Sequence, residues 1–419
     1  MNNNKNQVIL KKIEKKDNNI IYMYDVIGEW SKYFLTDTAT STYSFNLEKI
    51  PEHIAVIPFL CFMLPLSFVC DGEIVVNSID KEFAESVDDI RKGYQEMYPQ
   101  IRMLGTITYK DLVQNEIQNE NKKSGLFFSG GADAFCSLLR HIDEMPTLIS
   151  IWGADVKYDN YEGWKTVDSH LEKVGIEFGL NNSIIRSNFR ELINEKLCNK
   201  LIRITNDGWW HGFYCGLPLI GHASILAFQL GLKKVYIASS FSKKVQGMYT
   251  CASDPIIDNK IHFCGCQIVH DAYEMERQEK IRYICEKSSE IGKEVELRVC
   301  WQSEDGKNCC KCEKCYRTIM EILSEGYDPN LYGFIWGKDN IQQLKKDMLN
   351  KIEIQDMNIN SLWKPIVNKM ALKRDKFIEY DWLIDMDWND FNNKLQKKIN
   401  RSIFVRGIKK MKRIIQRVN

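Results

Sequence analysis

Four cysteines that lie close together carry the clearest chemical signal in the chain. Their spacing is C-x8-C-x2-C-x2-C, and they are Cys300, Cys309, Cys312 and Cys315. Closely spaced thiolates on a turn, with a fourth brought in from a strand, suit a closed tetrahedral zinc site. Such a site leaves no coordination position for water. The predicted Zn²⁺ is therefore structural and ties a loop to a helix.

Two other interpretations of these thiols stay open. An iron–sulfur cluster also uses four cysteine ligands, and reduced thiols in a core need no metal, although this segment is polar for a core. Nearby cations would offset the charge of four thiolates. They are Lys307, Lys311, Lys314 and Arg317.

A turn with two glycines, between an apolar strand and a helix, is the second signal. Residues 125–139 read GLFFSGGADAFCSLL. At the carboxyl end of a strand, exposed backbone N–H groups and the helix dipole favour a phosphate. The two glycines allow the backbone to approach closely. The chain has neither the Walker lysine nor GxGxxG here, which argues against a P-loop kinase and a dinucleotide enzyme.

The turn resembles the SGGxDS pyrophosphate loop of the N-type ATP pyrophosphatases, the PP-loop superfamily. Ser129, Gly130, Gly131 and Asp133 match it position by position, with Ala132 at its variable position. The resemblance implies that ATP is split into AMP and pyrophosphate, that a substrate carbonyl is adenylylated, and that Mg²⁺ shields the phosphates. It also implies catalytic roles for Ser129 and Asp133.

One departure from the superfamily pattern weakens the loop. Ala134 stands where the superfamily has a serine, and the loss of such a hydroxyl at a helix start costs about 1 kcal/mol. Any strand-to-helix turn can contain two glycines, so a purely structural turn stays an alternative.

The loop and the cysteines together resemble the 7-cyano-7-deazaguanine synthase family, whose zinc cysteines follow this pattern. The likeness covers about residues 124–325. A glycine usually follows the second cysteine in that family, whereas this chain has Cys310, which we interpret as a thiol that does not bind the metal. The resemblance implies an AMP-forming ligase that makes an amide or a nitrile. The flanking regions do not belong to that enzyme, so its substrate is not carried over.

The same resemblance implies that Trp152 and Gly153, at the end of the next strand, contact the adenine and ribose. Ser239 and Ser240 follow a later strand, and their place at its carboxyl end predicts a contact with the nucleotide or the substrate. His211 is predicted to be a catalytic residue that meets a phosphate or the substrate. Trp152 is equally suited to a core, and a lone histidine is more often structural.

Two other functions stay open beside the ligase. One is a relative that inserts sulfur or modifies tRNA, although the catalytic region lacks a basic stripe for nucleic acid. The other is a non-catalytic protein that senses a nucleotide or serves as a scaffold. The predicted partner is a small-molecule or modified-macromolecule acceptor, and a homodimer is compatible with the sequence.

The elements that must position these residues alternate between short apolar strands and helical patterns. This alternation predicts an α/β fold with a parallel sheet and helices on both faces, and the resemblance implies the adenine nucleotide alpha hydrolase (HUP-like) type. We predict a small α+β domain over residues 1–120, a PP-loop ATP-binding domain with the zinc knuckle over 121–333, and a helical region over 334–419. A strand is predicted over residues 295–299, just before the first zinc cysteine.

The overall charge and the cysteine content bear on the partner and on the cellular compartment. The 419 residues include 57 basic and 56 acidic side chains, so the net charge of +1 predicts no particular partner. The 14 cysteines follow a polar N-terminus that is no signal peptide. We therefore predict reduced thiols and a cytoplasmic protein.

Two segments raise the question of a membrane. Residues 54–70 are apolar, and strand-like segments at 67–70 and 74–77 flank Asp71 and Gly72, so we predict a buried hairpin at 67–77 in preference to a membrane span. Residues 394–417 hold ten basic side chains and no acidic ones. Their apolar positions recur at helical spacing, which suits an amphipathic helix on an anionic membrane or a helix docked on its own protein.

Overall fold

The computed structural model describes residues 5–115, 123–352, 354 and 358–393. Within them, eleven strands form one sheet and two strands form a second one. The strands are β1 Gln7–Lys16, β2 Asn19–Ile27, β3 Thr38–Thr42, β4 Glu73–Val75, β5 Ser78–Asp80, β6 Thr106–Thr108, β7 Asp111–Val113, β8 Lys123–Phe127, β9 Thr147–Trp152, β10 Asn182–Ser187, β11 Leu232–Ala238, β12 His262–Phe263 and β13 Cys266–Asp271. The order in the large sheet is β12-β13-β11-β8-β9-β10-β3-β2-β1-β4-β6.

Five neighbouring strands, β13-β11-β8-β9-β10, run parallel. In sequence order, β9 and β10 lie on one side of β8, and β11 and β13 lie on its other side. The strand order therefore reverses between β8 and β11. Ligands of open α/β sheets bind at the carboxyl ends of the strands beside such a reversal.

Helices cover both faces of the sheet. They are α1 Glu52–Ala55, α2 Ile57–Cys70, α3 Lys81–Met97, α4 Ala132–Arg140, α5 Tyr161–Phe178, α6 Glu195–Leu201, α7 Leu217–Gly221, α8 Ala223–Leu230, α9 Pro255–Asp258, α10 Arg277–Ile291, α11 Glu313–Glu325, α12 Lys338–Asn350, α13 Lys364–Ala371 and α14 Asp381–Ile384. Alternate strand residues enter different cores: Leu148 packs with the face of α4 and α5, and Ile149 with the face of α2 and α8. The predicted α/β class is confirmed.

The N-terminal strands extend this same sheet. β3 pairs antiparallel with β10, where the Ser41 hydroxyl lies 3.0 Å from that of Ser187. One core also contains buried residues from both sides of residue 120. The division into domains stays a prediction, and the described sheet and core are continuous across it.

The hairpin predicted at residues 67–77 is wrong. Residues 67–70 form the last turn of α2, which ends where Asp71 adopts a left-handed φ of 50°. Nearly every residue of α2 is buried, so its sequence has no polar face, and a continuous apolar run does not distinguish a buried helix from buried strands.

Two helical segments among the described residues are long and apolar enough to cross a membrane. They are Glu52–Cys70 and Trp210–Leu230, and their most apolar windows are 83% and 72% buried inside the protein. Because core helices meet the same criteria of length and composition, this is weak evidence for a span.

The strand predicted over residues 295–299 is also wrong. This extended segment joins no sheet and instead contacts two loops: the Leu297 N–H donates to the Tyr332 carbonyl at 3.0 Å, and the Arg298 N–H donates to the Gly130 carbonyl at 2.7 Å. Past residue 333 the described chain is helical, as expected. The basic segment 394–417 lies outside the described residues, and its membrane contact stays a prediction.

A substitution at Phe62 tests the packing of the N-terminal region against the segments that follow β10. Its buried ring stacks on Phe189 at 5.9 Å and lies 5.0 Å from the ring of His222. We expect Phe62→Ala to lower the free energy of unfolding by about 3–5 kcal/mol in urea, because it leaves a cavity. The control is Ile176→Ala at a side chain that is 84% exposed, and its expected effect is below about 0.5 kcal/mol. Equal effects of the two substitutions would contradict the packing described.

Candidate functional site

The glycine turn lies between β8 and α4, beside the point where strand order reverses. Gly130 has a φ of +77°, and a side chain there would meet the His170 Nε2 at 2.6 Å. Gly131 precedes the first turn of α4, and its N–H donates a long hydrogen bond of 3.3 Å to the Ser129 hydroxyl. The first backbone N–H groups of α4, which have no carbonyl partner within the helix, therefore lie at this turn.

A cavity of about 760 Å³ opens in front of this turn. Its floor contains the ends of β8, β9 and β11, and its walls come from the segments that follow β10 and β11 and from residues 298–301. Six residues of the predicted site line it together: Ser129, Gly131, Ala132, Asp133, His211 and Ser240. The glycine turn, His211 and Ser240 are distant in sequence but line the same cavity.

Four other predicted site residues are not among those that line the cavity: Gly130, Trp152, Gly153 and Ser239. The Trp152 ring stacks on Trp164 at 5.3 Å, and its N–H donates to the Lys157 carbonyl. Gly153 lies so close to the Ser187 carbonyl that a Cβ would be 1.9 Å from that oxygen. The Ser239 hydroxyl donates to the Phe241 carbonyl. Trp152, Gly153 and Ser239 therefore contact other residues of the protein.

Asp133 is held by two cations from α10. Arg277 lies 2.8 Å from its carboxylate and Lys280 lies 3.4 Å from it. Burial alone would raise the pKa of Asp133, but the two cations outweigh burial and hold that pKa below its usual value. Arg277 also contacts Glu321 of α11 at 3.2 Å. The helix that follows the glycine turn is thereby fixed to α10 and α11.

Two further cations at the cavity were not predicted as site residues. The Arg298 guanidinium donates to the Ser129 carbonyl at 2.8 and 3.0 Å. Lys314 lines the cavity, and within the described residues its ammonium forms no hydrogen bond or ion pair. Burial lowers the pKa of Lys314. The only sequence signal was its place beside the zinc cysteines, which suggested charge compensation for the thiolates.

His211 lies on a π-helical turn, Trp210–Tyr214, at another wall of the cavity. Its Nδ1 is 3.0 Å from the carboxylate of Asp207, which also accepts hydrogen bonds from Tyr98 and Thr250. The hydrogen bond to Asp207 and contact with the Cys251 thiol raise the pKa of His211 to about 10. Burial would raise the pKa of Asp207, but its hydrogen bonds lower it to about 2. An imidazolium and a carboxylate therefore face each other.

The four predicted zinc cysteines meet at one point. Their sulfur atoms all lie within 4.8 Å of one another, and the pairs Cys300–Cys312 and Cys309–Cys315 are each 3.9 Å apart. Zinc–sulfur bonds of about 2.3 Å at tetrahedral angles put sulfur atoms about 3.8 Å apart. The cluster is thus compatible with zinc.

The chain around the cluster is organised by Asn308 and by the start of α11. The Asn308 side chain accepts from the N–H groups of Val299 and Cys300 and donates to the carbonyls of Leu297 and Gly333. Cys312 caps α11 and accepts the Cys315 N–H on its sulfur. The sequence did not single out Asn308.

Cys310 lies outside the cluster of four, as expected. Its φ is +53°, and its sulfur accepts the Ile335 N–H at 3.4 Å. The cluster also borders the cavity, since Cys300 and Lys314 both line it. One wall of the cavity is therefore built on the segment that carries the four cysteines.

The chain matches no model of a known protein family, and a search of curated proteins finds no match either.

Removal of one zinc ligand gives a direct test of the cluster. We expect one Zn²⁺ per chain in elemental analysis, and we expect Cys312→Ala to lose it together with several kcal/mol of stability, because structural zinc binding contributes on the order of 10 kcal/mol to folding. The matched control, Cys310→Ala, should keep both zinc and most of the stability. Iron in place of zinc, or full zinc in Cys312→Ala, would contradict the assignment.

The pair of His211 and Asp207 predicts a pH dependence of stability. The raised pKa of His211 gives a contribution that is complete below pH 6.5 and declines as pH rises toward 10. Because the histidine is half exposed, we expect only about 1 kcal/mol. Urea unfolding of the wild type and His211→Gln at pH 6.5, 8 and 10 should show a stability difference that shrinks with pH. A difference that stays constant would contradict this prediction.

Proposed function

We propose that the chain is an ATP-dependent, AMP-forming ligase of PP-loop type, which adenylylates a substrate carbonyl and releases pyrophosphate. Its product would be an amide or a nitrile, as the resemblance to 7-cyano-7-deazaguanine synthase implies. The acceptor would be a small molecule or a modified macromolecule.

The observation that carries the proposal is the glycine turn at the mouth of the cavity. Backbone N–H groups at the N-terminus of α4 form an anion-binding site, and Lys314 offers a cation without a protein partner among the described residues. Polyphosphate is the ligand class that such a site favours. The strand order of the parallel half, with β8 at the reversal, supports a HUP-like fold.

Each residue at the turn has a role in this proposal. The Ser129 hydroxyl and the N–H groups of Gly131 and Ala132 would hold the pyrophosphate, which Lys314 would neutralise. Gly130 does not line the cavity, and its left-handed φ of +77° would shape the turn. Asp133, already paired with Arg277 and Lys280, would anchor the loop. Mg²⁺ bound with ATP would shield the phosphate charge. Adenylyl transfer needs chiefly positioning and charge stabilisation.

The nucleoside would lie further along the cavity. Residues 154–156 follow β9 and line the cavity, whereas Trp152 and Gly153 do not, so the adenine and ribose would contact the later residues. Ser240, at the end of β11, would contact the nucleotide or the acceptor. The zinc site would stabilise the wall that carries Lys314 and would not take part in the reaction.

Gly131 offers the sharpest test of ATP binding. Its φ of −74° suits any residue and a Cβ would meet little protein, so Gly131→Val should fold and place its side chain where phosphate approaches. We expect at least about a tenfold loss of Mg-ATP affinity by calorimetry, or 1.4 kcal/mol. Gly337→Val is the control, because Gly337 is also open and has an extended φ.

The identity of the nucleotide product separates the enzyme from its rivals. We expect AMP and pyrophosphate when Mg-ATP is incubated with a metabolite extract and the products are resolved by chromatography. ADP as the product, or unchanged ATP affinity in Gly131→Val, would contradict the proposal. ATP binding without turnover in any extract would favour a nucleotide sensor.

A further inference from the structure

Two thiols lie beside His211 in the wall of the cavity. The sulfur atoms of Cys215 and Cys251 are 3.8 Å apart, and both residues line the cavity. The Cys215 thiol donates to the His211 carbonyl at 3.2 Å. We call Asp207, His211, Cys215 and Cys251 the thiol cluster.

The contacts of Asp207 fix the histidine of this cluster. Its carboxylate accepts from the Gly208 N–H and from the hydroxyls of Tyr98 and Thr250, and it binds the His211 Nδ1. With these partners Asp207 stays ionised. The imidazole is therefore held in one orientation, as a third group orients the histidine of nucleophile–histidine pairs.

The backbone on either side of Cys251 is tied to the same two residues. Thr250 bonds to Asp207, and the Ala252 N–H donates to the His211 carbonyl at 2.8 Å. The Cys251 thiol consequently lies beside the imidazole, and the two groups interact. The Cys215 thiol and burial hold the pKa of Cys251 well above its ordinary value, and the contact with His211 acts in the opposite direction. His211 is thus the neighbour that favours the nucleophilic thiolate.

We propose that Cys251 is a covalent nucleophile that takes the acyl group of a carboxylic acid from its adenylate in the cavity. This inference rests on the proposed function, because the adenylate would form at the glycine turn that lines the same space. Cys215 is the less suitable nucleophile, since its thiol hydrogen is bonded to a carbonyl.

The step balances without an external oxidant or reductant. The Cys251 sulfur attacks the acyl carbonyl, a carbon–sulfur bond forms, and the bond from the acyl carbon to the phosphate oxygen breaks. AMP leaves with the electron pair of that bond, and the thiol proton passes to AMP or to water. An amine then attacks the thioester, which forms the amide and returns the thiol.

Acetyl adenylate tests this step without ATP chemistry. Incubated with the zinc-loaded full-length protein, it should release AMP and add one acetyl group to Cys251, found by peptide mass spectrometry. Neutral hydroxylamine should remove this group, because it cleaves thioesters and leaves acetylated lysines intact. Acetyl groups confined to lysines would overturn the proposal.

Variants test whether acetylation is specific to Cys251 and depends on His211 and Asp207. Cys251→Ala should lose the hydroxylamine-sensitive acetyl group, and the control Cys266→Ala, at a buried thiol on β13, should keep it. His211→Ala should slow acetylation of Cys251 by about 100-fold, and Asp207→Asn should slow it less. An unchanged rate in His211→Ala would overturn the role of the cluster.

Failure of this inference is distinguishable from failure of the ligase proposal. A wild-type protein that forms AMP and pyrophosphate from ATP but takes no acetyl group on Cys251 keeps the ligase and refutes the nucleophile. A protein that forms the thioester from acetyl adenylate but never releases pyrophosphate refutes the ligase and supports a reactive Cys251.

Discussion

The contact between Arg298 and the glycine turn joins the two parts of the candidate site. The Arg298 N–H binds the Gly130 carbonyl, and its guanidinium binds the Ser129 carbonyl. These bonds fix the carbonyl oxygens of the turn, while the Gly131 N–H keeps its long hydrogen bond to the Ser129 hydroxyl. Arg298 is in turn fixed by its neighbours, since the segment that contains it ends at Cys300 and is clamped by Asn308. A metal at the cysteines would thereby influence the shape of the turn without touching a ligand.

The N-terminal region supports the opposite wall. Tyr98 follows α3 and bonds to Asp207, and the Tyr94 hydroxyl donates to the Phe213 carbonyl within the π-helical turn. The rings of Tyr98 and Phe213 stack at 4.4 Å. The position of His211 therefore depends on contacts from the N-terminal region. The two walls of the cavity are supported by different parts of the chain.

Local patterns in the sequence were sufficient for much of this arrangement. The glycine turn before a helix and the set of four cysteines were predicted from the sequence, because turn chemistry and ligand spacing act over short distances. The buried helix α2 was mistaken for a hairpin because a segment that is apolar on every side has no periodicity. Contacts such as Arg298 with Ser129, or Tyr98 with Asp207, join residues more than a hundred positions apart. No local pattern encodes them, so the walls of the cavity could not be predicted.

The two edges of the large sheet are formed by its shortest strands. β12 has two residues and β6 has three. An edge strand exposes unpaired N–H and carbonyl groups that invite a strand from another molecule, and very short edges offer few of them. In the described part of the chain, the sheet therefore gives a second copy little backbone to extend. If two chains associate, they would do so through helical faces, and the parallel strands around the cavity would stay within one subunit.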